Sequence, residues 1–288
     1  MSAFILKIIA LLVMFADHIG VVFDPLTDVI LLREIGRVAF PIFIFFIAEG
    51  CRHTRNIKLY MWRLGLFAMI SEIPFDLASA DFQGGAQAFN ITALDFMAHQ
   101  NVFFTFFLGV LCVYIYQTLS EGIDRLLCIV LIPAVIYLGD FLRADYGSVG
   151  VMFVFILYIL PYTRKEGVQP PVMSGRSKFY RIAALFCLLF YLYIIERFNF
   201  HYARLLLNNN GLPALIEKAP NLLAPYSVSF LIYGCISLFL LSFYNGKRGR
   251  PLKWLFYAAY PAHLLMLGVV RFAYVIPEWL SYYYEHVL

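Results

Sequence analysis

Lys7 and His18, near the start of the chain, have residue types and a spacing that could serve the transfer of a chemical group. If this segment is helical, about 16 Å separates the two residues along the helix axis. Eleven steps of roughly 100° return both side chains to nearly the same face. A neutral imidazole can act as a general base, or briefly carry an acyl group, near pH 7. The pair therefore predicts a site in which a cation holds a phosphate-bearing donor at one membrane surface and a histidine works deep in the opposite half.

Three arginines extend the predicted donor site. Arg52 and Arg55 stand about one helical turn apart, a spacing that suits bidentate contacts between guanidinium groups and phosphate. Arg63 lies deeper in the next apolar stretch. Together with Lys7 these arginines form the predicted donor-binding set. The alternative interpretation is that the cations only fix the orientation of the chain in the membrane.

Two carboxylates, Glu72 and Asp76, belong to the predicted catalytic set. They stand four residues apart and therefore share one face of a helix. They could orient His18 or hold the amine of a substrate, since ionisable groups inside apolar spans usually face a cavity or one another. The alternative is a structural role in helix packing.

Asp17, Arg37 and His263 complete the candidate catalytic residues. Asp17 precedes His18, but adjacent helical residues point about 100° apart, so we expect Asp17 to reach another helix through Arg37. Arg37, or a donor near it, could stabilise the oxyanion of a tetrahedral intermediate. His263 lies beside a helix-perturbing residue, Pro261, and is a second candidate base. For both histidines the alternative is a hydrogen-bonded residue of the core.

The composition indicates which elements must position these residues. Of the 288 residues, 62% are hydrophobic and 14% are charged, and the mean hydropathy is +0.78. A soluble domain is about half apolar and roughly a quarter charged. Lipid must therefore be part of the solvent of this chain. The net charge of +4 gives no reason to expect nucleic acid as a partner, and the five cysteines have no spacing suited to a metal.

Nine apolar stretches predict membrane-crossing helices, because about 20 residues of helix cross the hydrocarbon core. Their bounds are 4–23, 36–51, 58–77, 101–119, 124–142, 146–162, 180–196, 223–244 and 252–274. The sequence thus predicts an all-α, polytopic membrane helical bundle. A cytoplasmic linker at 163–179 would separate front helices, 1–162, from back helices, 180–288, within a single domain, 1–288.

Lysine and arginine in the connecting segments predict the orientation of the bundle. Segments 51–58, 162–181 and 245–253 are rich in these residues and fall on one side, whereas 78–100 has none. The N-terminus is therefore expected in the cytoplasm and the C-terminus outside. The chain would be a multi-pass protein of the cytoplasmic membrane.

Seven segments of the sequence carry motifs of a known family. They are LKIIALLVMFADHIG (6–20), GRVAFPIFIFFIAEG (36–50), HTRNIKLYMWRL (53–64), SEIPFDLA (71–78), NVFFTFFLG (101–109), ADYGSVG (144–150) and YPAHLL (260–265). In these segments the chain resembles the TraX family, membrane proteins associated with N-terminal acetylation of conjugative pilin. The resemblance is dense to about residue 110 and sparse after it.

The same segments are similar to the broader transmembrane acyltransferase group that includes the type-3 acyltransferases. In that group the first helix carries a basic residue, ten others and then a histidine, which Lys7 and His18 match. A basic pair with two residues between its members matches Arg52 and Arg55. The resemblance implies acetyl-coenzyme A as the donor substrate on the cytoplasmic side and an acceptor presented from outside.

Taken together, the residues and the resemblance predict an acyl-coenzyme A-dependent O- or N-acetyltransferase without a metal cofactor. Its acceptor would be a pilin N-terminus, a glycan or a lipid, and membrane lipids would surround the protein. One alternative is a proton-coupled transporter or flippase in which Asp17, Glu72 and Asp76 relay protons. Another is a noncatalytic membrane component of a pilus or envelope assembly.

Overall fold

Helices form all the regular structure in the described part of the chain. The computed structural model describes residues 1–23, 30–79, 99–119, 124–163, 173–197 and 227–275. Within these ranges no strand forms, and the sole β-type pairing is an isolated bridge between Gln100 and Ala144. The elements are α1 (Ala3–Phe23), α2 (Ile30–Gly36), α3 (Ala39–His53), α4 (Ile57–Ser79), α5 (Val102–Leu119), α6 (Arg125–Phe141), α7 (Gly147–Ile159), α8 (Gly175–Arg197), α9 (Ser227–Ser242), α10 (Lys253–Val270) and a π-helical turn (Arg271–Val275).

Each of the nine predicted segments coincides with a helix, and the shortest of these nine helices is α7 with 13 residues. The prediction missed α2, whose seven residues are too few to form an apolar span. α8 begins at Gly175, five residues before the expected start of the back helices. Pro74, Pro133 and Pro261 lie inside α4, α6 and α10 without ending them. Neighbouring helices can satisfy the backbone groups that an internal proline leaves unpaired in apolar helices.

Three helices among the described residues are long and apolar enough to cross a membrane. They are Ala3–Phe23, Val102–Leu119 and Lys253–Tyr274, the last of which continues α10 into the π-helical turn. Gly147–Ile159 and Leu231–Ser242 are shorter apolar helices. Large apolar side chains also lie on the outer surface, where Ile129 of α6 is 69% exposed. An apolar surface of this kind is compatible with lipid as the surrounding solvent.

α3 is the central helix, with two thirds of its residues buried. It packs against α1, α7, α9 and α5, while α10 packs along α4 and also contacts α1. α6 is peripheral and packs on α5 and α7. Because α1 lies between α3 and α10, a side chain on α1 can meet one contributed by the far end of the sequence.

α5 and α7 approach closely because Gly109 has no side chain. A Cβ at this position would lie 2.5 Å from Cβ of Val154, which is shorter than any normal carbon contact. Small residues allow helix backbones to come together in the same way in membrane bundles. α7 itself begins after a sharp turn in which Tyr146 and Gly147 have φ values of 61° and 49°. The Asp140 carboxylate holds this turn by accepting a hydrogen bond from the backbone N–H of Ser148 at 2.7 Å.

α3 and α7 run side by side in the same direction and define two ends of the bundle. At their starts, Phe40 stacks on Tyr146 with the ring centroids 3.4 Å apart. At their ends, Arg52 donates a hydrogen bond to the carbonyl oxygen of Leu160 at 2.9 Å. We call these regions the Tyr146 end and the Arg52 end.

Candidate functional site

His18 and His263 form a hydrogen-bonded pair between α1 and α10. His18 Nδ1 lies 2.5 Å from His263 Nε2, and the two rings stack with their centroids 4.8 Å apart and their planes 15° apart. His263 is 2% exposed, and Phe15 packs on it with 4.2 Å between ring centroids. Tyr260 packs edge-on against both imidazoles. The structure therefore brings the two candidate histidines together, although they lie 245 positions apart in the sequence.

The hydrogen bonds of His263 determine which nitrogen of His18 carries the proton. His263 Nδ1 lies 2.6 Å from the carbonyl oxygen of Ala259. Because a carbonyl only accepts, His263 Nδ1 donates, and Nε2 of the neutral ring is left as an acceptor. His18 Nδ1 therefore donates to His263, and His18 Nε2 keeps its lone pair. His18 Nε2 is therefore the ring nitrogen that can accept a proton.

Asp17 forms an ion pair with Arg33 of α2. Its Oδ1 lies 2.9 Å from Arg33 Nη1. The sequence led us to expect Arg37, but α2 packs back on α1 and brings the earlier arginine alongside. Arg37 still attracts Asp17 electrostatically, and Arg33 also acts on His18. The ion pair is thus a neighbour of the histidine pair.

Arg37 lies at the Tyr146 end among acidic and phenolic groups. Its guanidinium forms a hydrogen bond with the Tyr146 side chain and attracts both Asp145 and Asp17. Burial raises the pKa of Asp145 to about 6, and His99, with Nε2 3.9 Å from Oδ1, opposes the rise. Arg37 accordingly has two carboxylates as counterions.

Glu72 is held by Asn101 of α5. The side-chain amide of Asn101 donates to Glu72 Oε2 at 2.5 Å and to the carbonyl oxygen of Ala68 at 2.8 Å. Glu72 and Asp76 are both buried and interact electrostatically, in agreement with their shared helix face. Glu72 Oε1 has no hydrogen-bond partner among the described residues. The sequence suggested that these carboxylates could orient His18. In the structure, the side chain that forms a hydrogen bond with the His18 ring is His263.

Lys7 and Arg63 lie against the first turns of α10. Lys7 Nζ is 5.2 Å from the ring centroid of Phe46 and 5.4 Å from that of Phe256. Arg63 Cζ is 5.7 Å from the ring centroid of Trp254. These cation–π contacts hold both basic groups on an aromatic wall.

Arg52, in contrast, lies on the side of α3 that packs against α7. Its Cζ is 4.8 Å from the ring centroid of Tyr158 and 4.7 Å from that of Tyr162. Arg55 is exposed in the turn that follows α3. The four predicted donor-binding cations therefore all lie at the Arg52 end, with Lys7 and Arg63 against α10 and Arg52 against α7.

Two arginines with described ion pairs were not among the predicted site residues. Arg33 lies between the predicted spans, where the sequence gave no helical signal. Arg181 is 0% exposed and pairs with Glu49, with Nη1 2.9 Å from Oε1. It lies just inside the predicted span that begins at 180. An ionisable residue within an apolar helix was therefore the feature of the sequence that could have indicated a site residue. No three His, Cys, Asp or Glu side chains gather as a metal site in the described ranges.

In the described ranges, helices form all the regular structure, three of them are long and apolar enough to cross a membrane, and a histidine pair lies between α1 and α10. The chain belongs to the TraX family, whose family model, described as TraX protein, matches residues 2–174. This range contains His18 and all four predicted donor-binding residues, and it ends before His263. The resemblance to the TraX family is thereby confirmed.

One relative covers nearly the whole chain. It is a protein of Dichelobacter nodosus described as "Probable fimbrial assembly protein FimC, serogroup H1". The two sequences are 28% identical over 280 residues, which span 92% of this chain and 94% of that protein. No solved structure matches the chain.

Proposed function

We propose that the chain is a transmembrane acetyltransferase. It would move an acetyl group from cytoplasmic acetyl-coenzyme A to an amine or hydroxyl acceptor on the outer side of the membrane. The observation that carries the proposal is the hydrogen-bond chain from Ala259 through His263 to His18, which leaves His18 Nε2 with its lone pair. Because the relative is described as a fimbrial assembly protein, a pilin N-terminus is the first acceptor to test, ahead of an envelope glycan or lipid.

The proposal includes an arrangement in the cytoplasmic membrane. The nine helices other than α2 would cross it, with the N-terminus in the cytoplasm and the C-terminus outside. The Arg52 end would then face the cytoplasm and the Tyr146 end would face outward. The distribution of lysine and arginine among the connecting segments supports this orientation. The chain would also belong to the broader transmembrane acyltransferase group.

His18 is the proposed general base. Its Nε2 removes a proton from the acceptor nitrogen or oxygen as that atom attacks the thioester carbonyl carbon. The new N–C or O–C bond forms, the C–S bond breaks, and the coenzyme A thiolate takes the proton back from the imidazolium. The hydrogen bond from His18 Nδ1 to His263 remains intact throughout and supports the transient positive charge. A covalent acetyl-histidine is the alternative route through the same nitrogen.

Basic side chains at the Tyr146 end and at the Arg52 end have separate roles in the proposed reaction. Arg37 is the proposed donor to the oxyanion, with Arg33 as a second cation close to His18, because such groups act most strongly where water is excluded. Lys7, Arg52, Arg55 and Arg63 would hold the phosphates of the donor. About 16 Å of helix separates Lys7 from His18, a distance that a long thioester arm can bridge.

Replacement of His18 by alanine tests the proposal. Loss of a general base should slow acetyl transfer by about 10²- to 10⁴-fold. The rate is measured in membranes supplied with labelled acetyl-coenzyme A, and the acetylated product is identified by mass spectrometry of pilin and other envelope components. His99→Ala is the matched control, because this histidine is more than half exposed and lies outside the histidine pair. Acetyl transfer at the wild-type rate by His18→Ala would refute the general-base mechanism. Absence of acetyl transfer by the wild-type chain would favour a noncatalytic role.

A further inference from the structure

Arg52 and Arg181 meet around one aromatic ring at the Arg52 end. Their Cζ atoms lie 4.7 Å and 5.2 Å from the ring centroid of Tyr162. Arg52 belongs to α3 and Arg181 to α8, while Tyr162 follows α7. The junction of α7 and α8 is closed by a hydrogen bond from the backbone N–H of Ser174 to the carbonyl oxygen of Thr163 at 2.8 Å. Three helices therefore hold the two guanidinium groups in place.

Among the described residues, this cluster contains more positive than negative charge. Glu49 is 4% exposed and accepts from Arg181 at 2.9 Å, and His53 Nε2 lies 3.2 Å from its other oxygen. Arg52 is also an electrostatic partner of Glu49. One carboxylate thus faces two guanidinium groups. The nearby start of α8 adds the positive end of a helix dipole.

Three N–H-bearing nitrogens in the cluster have unmet hydrogen-bonding capacity. Arg52 Nε, Arg181 Nε and Arg181 Nη2 are buried and have no hydrogen-bond partner among the described residues. The whole Arg181 side chain is inaccessible to solvent, at 0% exposure. Buried donors without partners carry a free-energy cost, and few occur in native structures. A ligand with several oxygens and a negative charge would satisfy these donors and offset the excess charge, and phosphate has that chemistry.

We propose that Arg52 and Arg181 form a phosphate-binding site between α3, α7 and α8. A phosphate ester or pyrophosphate group would accept hydrogen bonds from the arginine N–H groups that Glu49 does not bind. Glu49 holds Arg181 in position but competes with the anion for it. The assignment of the anion to coenzyme A rests on the proposed function, whereas the site itself requires only a phosphate group. Arg181 lies beyond the family-matched range 2–174, so that match does not assign it.

Two glutamine variants separate a binding site from a purely structural ion pair. The full chain is purified in maltoside micelles, which contain no phosphate, and titrated with inorganic pyrophosphate by calorimetry. We expect Arg181→Gln to weaken binding by about tenfold to a hundredfold, because it removes hydrogen bonds between charged groups. Glu49→Gln should bind at least as tightly as the wild type, since the competing carboxylate is gone. Arg125→Gln is the control, because it removes the same charge at an exposed position at the start of α6.

Several results would overturn the site. The site is refuted if the wild-type chain does not bind pyrophosphate. It is also refuted if Arg181→Gln and Glu49→Gln lose the same amount of affinity. If Arg181→Gln does not fold, Arg181→Lys replaces it, because lysine keeps the charge without the planar fork. Wild-type affinity in Arg181→Lys would then count against the proposal. Displacement of pyrophosphate by coenzyme A indicates a soluble ligand, and displacement by added phosphatidylglycerol indicates a lipid headgroup at the same phosphate site.

The proposed function and this site can fail separately. Pyrophosphate binding that depends on Arg181, together with no acetyl transfer by the wild-type chain, would contradict the acetyltransferase alone. Acetyl transfer with an unchanged KM for acetyl-coenzyme A in Arg181→Gln, and unchanged pyrophosphate binding, would contradict the phosphate site alone.

Discussion

Leucine in place of His263 should slow acetyl transfer and leave donor binding intact. Leucine fills much of the imidazole volume but cannot accept a hydrogen bond. His18 Nδ1 would lose the acceptor that lies 2.5 Å away, and the tautomer with an unprotonated Nε2 would no longer be favoured. The KM for acetyl-coenzyme A should stay near the wild-type value, because the proposed donor-binding cations lie at the Arg52 end.

The size of this effect follows from the lost hydrogen bond. A buried donor without a partner costs about 1–3 kcal/mol. Since about 1.4 kcal/mol corresponds to a factor of ten, the productive tautomer of His18 should become about 5- to 150-fold less populated. The rate should fall by a similar factor. The loss should be smaller than that of His18→Ala, because the imidazole that accepts the proton is still present.

Initial rates with labelled acetyl-coenzyme A measure the effect, and His263→Gln is the matched variant. A glutamine amide oxygen can accept from His18 Nδ1 while its NH₂ group donates to the Ala259 carbonyl. We therefore expect His263→Gln to recover part of the rate. Thermal unfolding of each variant shows whether the protein is folded. A folded His263→Leu variant with the wild-type rate, or His263→Gln as slow as His263→Leu, would refute the tautomer argument.

Two further predictions concern stability, each measured by thermal unfolding in micelles. Gly109→Ala should destabilise the chain by about 1–3 kcal/mol, because its Cβ would lie 2.5 Å from Cβ of Val154. Gly175→Ala is the control, since a Cβ there meets nothing within 4 Å, and equal melting of the two variants would contradict tight packing of α5 on α7. Asn101→Leu should cost about 1–3 kcal/mol, because it removes the amide that donates to Glu72 at 2.5 Å. The double variant with Glu72→Leu added should recover part of the lost stability. If it recovers none, the lost hydrogen bond is not the cause of the destabilisation in Asn101→Leu.

The long helices could be predicted from the sequence because lipid leaves an apolar chain few other structures. A run of about 20 apolar residues must satisfy its own backbone groups, and a helix does so within one segment. The segment 58–77 was predicted correctly although it contains Arg63 and Pro74. α2 was missed because its seven residues depend on packing against α1 and carry no signal of their own.

Relations within one helix were also predictable. Glu72 and Asp76 are both buried and interact, as their spacing of four residues indicated. The placement of Lys7 toward the Arg52 end and of His18 toward the Tyr146 end follows from their separation along α1. These relations depend only on the rise and rotation of a regular helix. The family could be recognised for a related reason, since its motifs are short segments of contiguous sequence.

By itself, the sequence determined the nine longer helical segments and the family to which the chain belongs. Only the tertiary structure decided which polar side chains meet: His18 with His263, Asp17 with Arg33, and Glu49 with Arg181. The physical reason is that these helices are apolar on nearly every side, so no hydrophobic stripe indicates which face turns toward which neighbour. The rotation of each helix, and the choice of its neighbours, is settled by close packing of side chains that lie far apart in the chain.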